Sequence, residues 1–273
     1  MNNLLTIIAF LLLSAAVPVF AQSDTKEQLV VSMSDPNKPG FIEVSSINGF
    51  IHVVGYSGKD VVVEAAARNR ANRNENQTNT GGMRRINTGN ALDISAEEAN
   101  NRVRIDPNSH RHAVDLTIKV PQRSSLKLHT INNGDITVDN VTGELEINNV
   151  NGSITLTNIA GSVVAQTVNG QLKTTFREVN SNTPMAFSTL NGNVDVTFPA
   201  SVKATVKLKS DRGEIFTDFD IDVEKSQPKT ARSSQNGMQR VTIEDWVNGK
   251  INNGGPEVMM KNMNGNIYVR KAK

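Results

Sequence analysis

The sequence predicts an all-β chain wound as a parallel β-solenoid, with nine-residue half-coils and irregular caps. Three observations point there. Gly134, Gly143, Gly152, Gly161 and Gly170 recur every nine residues, and a fixed short period marks a repeat architecture. The blocks GDITVDNVT, GELEINNVN, GSITLTNIA and GSVVAQTVN share one template, glycine–x–apolar–x–apolar–x–Asn/Thr–apolar–x. Apolar residues alternate with a period of two, as in strands, and no window past the N-terminal stretch shows a helical period.

The elements follow in order. Leu4 to Leu13 form an apolar run too short to span a bilayer, and Val19-Phe20-Ala21 fits a cleavage site. Residues 1–21 therefore read as a signal peptide, although Met1-Asn2-Asn3 lacks the usual basic residue. Residues 22–273 read as one exported solenoid domain with no transmembrane span. EQLVVSM is a first strand, and SDPNKPG breaks it because proline cannot donate to a ladder. Phe41 to Val44 starts another. Gly49 and Gly58 are again nine apart, and GFIHVVGYS fits the template. Residues 69–90 are rich in Asn, Thr and Gly without an apolar period, and read as a flexible basic loop.

ALDISA and NRVRID are short strands. AVDLTIKV alternates cleanly up to Pro121, and SSLKLHTI leads into Gly134. A second likeness underlies the first: VDLTIKVP with SLKLHTINNGDI resembles VDVTFP with TVKLKSDRGEI, and Val114 and Val194 are 80 residues apart. This reads as a larger duplication or as the same coil rebuilt, with chance likeness between alternating strands as the competing account. Residues 223–240 read as a polar loop. VTIEDWVNGKINNGG and NMNGNIYVRK return to strand and turn.

Within a block, positions three and five face inward: Ile136 and Val138, Leu145 and Ile147, Ile154 and Leu156, Val163 and Ala165. Position eight (Val141, Val150, Ile159, Val168) is expected to fold back into the same core. Positions two, four and six face water, and the corner glycines permit positive φ. Nine residues cannot close a coil but eighteen can, giving two sheets about 10 Å apart. Asn140 should then stack on Asn158 at about 4.8 Å. The segments before Phe41 and after Met238 are the expected caps.

Composition excludes several chemistries. With no cysteine there is no disulfide framework, thiolate metal site or cysteine nucleophile. The blocks lack the GGxGxD pattern of calcium-binding nonapeptide rolls. Glu144 and Glu146 lie on one face roughly 7 Å apart, close enough for a glycosidase pair, but Ser162 and Val164 flank them one coil on. They read as solubilising carboxylates. His110 and His112 form an HxH without a third ligand, and His52 and His129 read as outward strand positions. No catalytic, cofactor-binding or metal-binding residue is assigned, and no cofactor is implied.

Contact candidates are Arg70, Arg73, Arg84 and Arg85 in the basic loop, and Trp246. The loop is either a solvated insertion or a basic patch for an anionic glycan, lipid headgroup or nucleic acid. No aromatics interleave with its arginines as a single-strand binder would want, so no nucleic-acid partner is expected. One Trp and two Tyr in the whole chain are few for a sugar-stacking groove. Trp246 is a contact residue or a cap of the last coils.

SINGFIHVVGYSGKDVVVEA, VDLTIKVP, INNGDITVDNVTGELEINNVNGSITL, VNGQLKTTF, LNGNVDVTFP, SDRGEIFTDF and NGNIYVRK together resemble a family of exported bacterial β-strand-repeat proteins of unknown function, known as the adhesin domain. The resemblance covers most of residues 22–273. It implies a parallel β-solenoid and supplies no catalytic residues. The expected function is a non-enzymatic, adhesin-like interaction scaffold, periplasmic or at the cell surface. Its partner would be an envelope glycan, an envelope protein or a second copy. The alternatives are a carbohydrate-active β-helix lyase or glycosidase, and an envelope stress or regulatory sensor.

Overall fold

The structure, a computed structural model, describes residues 26–68, 92–108, 113–132, 134–180, 182–223, 229–235, 238–244 and 246–273. The strands are β1 (Lys26–Ser32), β2 (Gly40–Asn48), β3 (Ile51–Tyr56), β4 (Asp60–Arg68), β5 (Ile94–Ala99), β6 (Arg102–Pro107), β7 (Ala113–Pro121), β8 (Ser124–Asn132), β9 (Ile136–Asp139), β10 (Thr142–Asn149) and β11 (Ile154–Asn169). They continue with β12 (Leu172–Val179), β13 (Met185–Asn191), β14 (Val194–Phe198), β15 (Ala204–Ser210), β16 (Ile215–Thr217), β17 (Ile221–Val223), β18 (Lys229–Gln235), β19 (Met238–Glu244), β20 (Val247–Ile251), β21 (Glu257–Asn264) and β22 (Ile267–Lys271). No helix occurs among the described residues. The chain is all-β and solenoid-like.

Two ladders face each other. The first runs β5-β6-β2-β8-β10-β11-β13-β21-β15-β20-β17. The second runs β1-β4-β7-β3-β9-β11-β12-β14-β22-β16. Strand β11 belongs to both: its first half lies in the second ladder and its second half in the first. It turns between them near Asn158, at φ 56°, and Gly161, at φ 129°. Partners in the repeat stand 18 residues apart, as in Ile136–Ile154–Leu172. Each rung is thus one strand in each ladder.

In spatial order the rungs are β6/β7, β2/β3, β8/β9, β10/β11, β11/β12, β13/β14, β21/β22 and β15/β16. The chain skips a rung twice, from β7 to β8 and from β14 to β15. Each skip follows a proline, Pro121 or Pro199, where the missing N–H ends the ladder. The vacant slots are filled from far away in sequence, by β2/β3 and by β21/β22. The 80-residue likeness marks these two equivalent skips.

The interior is a narrow aliphatic file. Ile136, Val138, Leu145, Ile147, Ile154, Leu156, Val163 and Ala165 are all buried, as are Val141 and Ile159 at position eight. Each large side chain so buried contributes about 1.5–3 kcal/mol. Phe176 stacks on Phe198 at 5.2 Å and meets Phe187 edge-on at 6.3 Å, filling the wider middle rungs.

Glycine keeps the corners tight through close approach more than through φ. A Cβ on Gly152 would sit 2.1 Å from the Gly134 carbonyl oxygen, and one on Gly170 2.1 Å from that of Gly152. The column runs on through Gly192, Gly265 and Gly213, each set against the glycine oxygen of the preceding rung. A buried polar side chain of the adjoining rung donates to the same oxygens: Asn149 Nδ2 to Gly134 at 3.0 Å, Thr167 Oγ1 to Gly152 at 2.9 Å, Thr189 Oγ1 to Gly170 at 3.0 Å. Outside this column, the Asn132, Asn151, Asn169, Asn191 and Asn264 amides form a ladder, with Nδ2 to Oδ1 distances of 2.6 to 3.3 Å. Asn158 donates to Asn140 at 3.1 Å on the other corner.

Several expectations are corrected. The caps are strands and not irregular segments: β1, β4 and β5 close one end and β17 and β20 the first ladder at the other, all by antiparallel pairing. Antiparallel edges interrupt the parallel template that would otherwise invite another chain. The segment after Met238 is no cap, since β21 and β22 lie inside the stack. The expected polar loop at 223–240 contains the end of β17, all of β18 and the start of β19, which pairs antiparallel with β18. At position eight, Val150 is only half-buried and Val168 is exposed. There the buried Asn149 and Thr167 occupy the inner corner and turn the next residue outward. Residues 1–21, the basic loop 69–90 and His110 with His112 lie outside the described residues.

At the N-terminal cap, Ser34 donates from Oγ to both Glu98 carboxylate oxygens at 2.8 Å. The Ser34 and Asn101 amides donate to Glu98 at 3.1 and 2.9 Å. These bonds, the Ser34 hydroxyl first, hold Glu98 below the ordinary glutamate range.

Candidate interaction surface

The outward side chains of the first ladder form three rows, because strand side chains alternate and parallel strands keep register. The first row reads Lys127, Glu146, Val164, Ala186, Met259, Lys207. The second reads His129, Asn148, Gln166, Ser188, Lys261, Lys209. The third, at the corner, carries Val150, Val168, Leu190 and Met263 beside the asparagine ladder. Val164 is 47% exposed, Leu190 41%, Met263 40% and Val168 38%. A soluble protein rarely leaves aliphatic side chains clustered in water without a partner.

Charges flank this apolar middle. On one side Glu146 pairs with Lys127 at 3.2 Å. On the other, Lys207 Nζ lies 4.7 Å and Lys209 Nζ 5.7 Å from the Trp246 ring centroid, and Lys209 pairs with Asp211 at 3.5 Å. A cation over an indole face is worth about 0.5–1 kcal/mol at exposed sites. Trp246, half-buried ahead of β20, therefore fixes two lysines at the border of the patch.

The remaining sequence candidates fall as follows. Arg70, Arg73, Arg84 and Arg85 lie outside the described residues. Glu144 and Glu146 are exposed on β10 with Ser162 and Val164 as their next-rung partners, on an open strand face. His52 and His129 are half-buried on the outer faces of opposite ladders. Among the described residues no three His, Asp or Glu side chains stand close enough to hold a metal. On the second ladder, a shallow depression of about 510 Å³ is lined by Phe50, His52, Arg68, Gly134, Asp135 and Thr137 among others. Its arginine is engaged by Asp115, Nε to Oδ2 at 2.9 Å.

Sequence reasoning overlooked the corner pattern itself. A small polar residue three before glycine is buried and an aliphatic two before it points outward, as in Ser46-Ile47-Asn48-Gly49, Thr167-Val168-Asn169-Gly170, Thr189-Leu190-Asn191-Gly192 and Asn262-Met263-Asn264-Gly265. The recurrence of Ser/Thr/Asn–aliphatic–Asn–Gly was readable, but a hydrophobic residue in a repeat is assigned inward by default.

Two facing ladders joined through glycine corners define an all-β, solenoid-like protein with display faces on its broad sides. The chain belongs to the Toastrack DUF4097 family, whose model matches residues 124–270. No curated protein matches it. Solved structures that it resembles include a Clostridium sporogenes protein named for cell adhesion, with TM-score 0.46 and 12% identity, covering 91% of this chain and 99% of that one. A Bacteroides fragilis protein named an adhesin gives TM-score 0.41 and 11% identity over 92% and 98% of the two chains. A Parabacteroides distasonis protein named for lipid binding gives 0.29 and 8% over 91% and 97%.

Proposed function

We propose that this chain is a non-enzymatic, adhesin-like interaction scaffold of the bacterial cell envelope. It is exported through a signal at residues 1–21 and wound as a parallel β-solenoid of nine-residue half-coils. The observation that carries this reading is the outer face of the first ladder, where an exposed aliphatic patch lies between Glu146 and the Trp246–lysine cluster. A stack of hydrogen-bonded rungs holds such rows at fixed spacing, about 4.8 Å per rung, so a partner meets a preorganised surface. The partner is an envelope glycan, an envelope protein or a second copy, and Arg70, Arg73, Arg84 and Arg85 add an anionic contact.

The test applies purified residues 22–273 to a glycan array, with a polysaccharide lyase and hydrolase panel alongside and self-association measured separately. Saturable binding without turnover is expected, weakened by Trp246→Ala for ligands seated on the first ladder. Alanine at all four loop arginines should weaken binding to sulfated or phosphorylated glycans. Polysaccharide turnover abolished by Glu144→Gln or Glu146→Gln overturns the scaffold reading, as does the absence of both ligand binding and self-association.

A further inference from the structure

Building on the scaffold reading, we infer that the outer face of the first ladder pairs with the same face of a second copy of this chain, about a two-fold axis parallel to β13. The face is self-complementary about that strand. Along the first row, β13 contributes Ala186; one rung away lie Val164 on one side and Met259 on the other, and two rungs away lie Glu146 and Lys207. Rotation by 180° about β13, with the faces opposed, sets Ala186 against Ala186 of the second copy. It sets Val164 against Met259, and Glu146 against Lys207. Along the third row Leu190 meets Leu190 and Val168 meets Met263. Along the second, Ser188 meets Ser188, Gln166 meets Lys261 and Asn148 meets Lys209. Every contact occurs twice except those on the axis, as an isologous interface requires.

Charge complementarity singles out this occupant. A polyanionic partner would suit Lys207, Lys209 and Lys261 but would be repelled by Glu146 and Glu144 at the other border. A second copy, inverted along the stack, brings the acidic border over the basic one and buries the aliphatic middle. Opposed sheets pack at about 10 Å with strands nearly aligned, which suits side chains of this size. The patch spans five rungs and three rows, on the order of 500 Å² per copy, below the roughly 800 Å² per partner of a standard stable interface. The pairing is therefore weak and concentration-dependent, with a dissociation constant in the micromolar range or above.

The test is sedimentation equilibrium of residues 22–273 from about 5 µM to 1 mM, with circular dichroism confirming that each variant is folded. A monomer–dimer equilibrium is expected. Leu190→Asp, which opposes two carboxylates on the axis, should weaken it at least tenfold. Glu146→Lys and Lys207→Glu should each weaken it severalfold, and the double exchange should recover most of the loss. Because the chain has no cysteine, Ser188→Cys supplies a single thiol on the axis, and a short bis-maleimide should trap it as a dimer. Thr155→Cys, on the outer face of the second ladder, should not be trapped.

A monomer throughout the range overturns the pairing, as does a dimer indifferent to Leu190→Asp or trapped equally through Thr155→Cys. A monomer that still binds a glycan or an anionic vesicle refutes self-pairing and leaves the scaffold reading standing. A monomer that binds nothing refutes both.

Discussion

Replacing Gly152 with alanine tests the corner column. The new Cβ would sit 2.1 Å from the Gly134 oxygen and 2.7 Å from Asn149 Nδ2. Ordinary heavy-atom contact begins near about 3.5 Å, so the two rungs would have to part by roughly 1 Å or more. Three bonds cross the same gap within two residues: Asn151 N to Ile131 O at 3.0 Å, Ile136 N to Ser153 O at 2.9 Å, and Asn149 Nδ2 to Gly134 O at 3.0 Å. Opened by that much, each falls outside hydrogen-bond distance. At a net of about 0.5–1.5 kcal/mol per bond, the loss is about 2–4 kcal/mol. The assay is urea unfolding followed by far-ultraviolet circular dichroism and Trp246 fluorescence, with an unchanged denaturant slope as the sign that stability alone has moved. Asn151→Ala, one residue away on the exposed amide ladder, is the control and should cost less than about 1 kcal/mol. A Gly152→Ala protein within about 0.5 kcal/mol of wild type, or a control that costs more than the glycine change, would refute the reasoning.

Leu156→Ala should cost about 2–5 kcal/mol, as buried leucine truncations do, and Leu156→Asp should prevent its coil from folding; an Ala variant near wild type in chemical denaturation would show that the interior is not filled as described. Thr167→Val keeps the shape but removes the donor to the Gly152 oxygen, and should lower stability by about 1 kcal/mol, whereas Thr155→Val on the outer face should be nearly neutral. The N-terminal cap should loosen in acid. Because Glu98 is held below its ordinary range, its contribution is complete above about pH 4.3 and fades as pH falls through the depressed value. Hydrogen exchange of β1 and β5 should therefore accelerate on acidification in the wild type and respond less in Glu98→Gln, and equal responses would remove Glu98 from the cap.

Much of the architecture was legible because it is local. Alternation placed Ile136, Leu145, Ile154 and Val163 inward, and the 18-residue closure set Asn140 beneath Asn158. The site was less legible. Val150 and Val168 carry the same side chain as Val141, at the same template position, yet only Val141 is fully buried. The difference lies in which corner each occupies, and the two corners alternate along the chain. Trp246 was singled out for its rarity alone; its lysine neighbours come from β15 through an antiparallel pairing that no local pattern announces.

What the sequence determined by itself is the rung: a two-period strand, a glycine where no Cβ fits, and a polar side chain beside it. These follow from sterics and burial within about twenty residues. The order of the rungs was decided by the tertiary structure. Nothing near β2/β3 or β21/β22 states that they slide into slots left by Pro121 and Pro199, since that choice is made by edges of distant strands seeking hydrogen bonds. The display face exists only after that choice, because Met259, Lys261 and Met263 join Val164 and Leu190 across a gap of some seventy residues once β21 is seated beside β13.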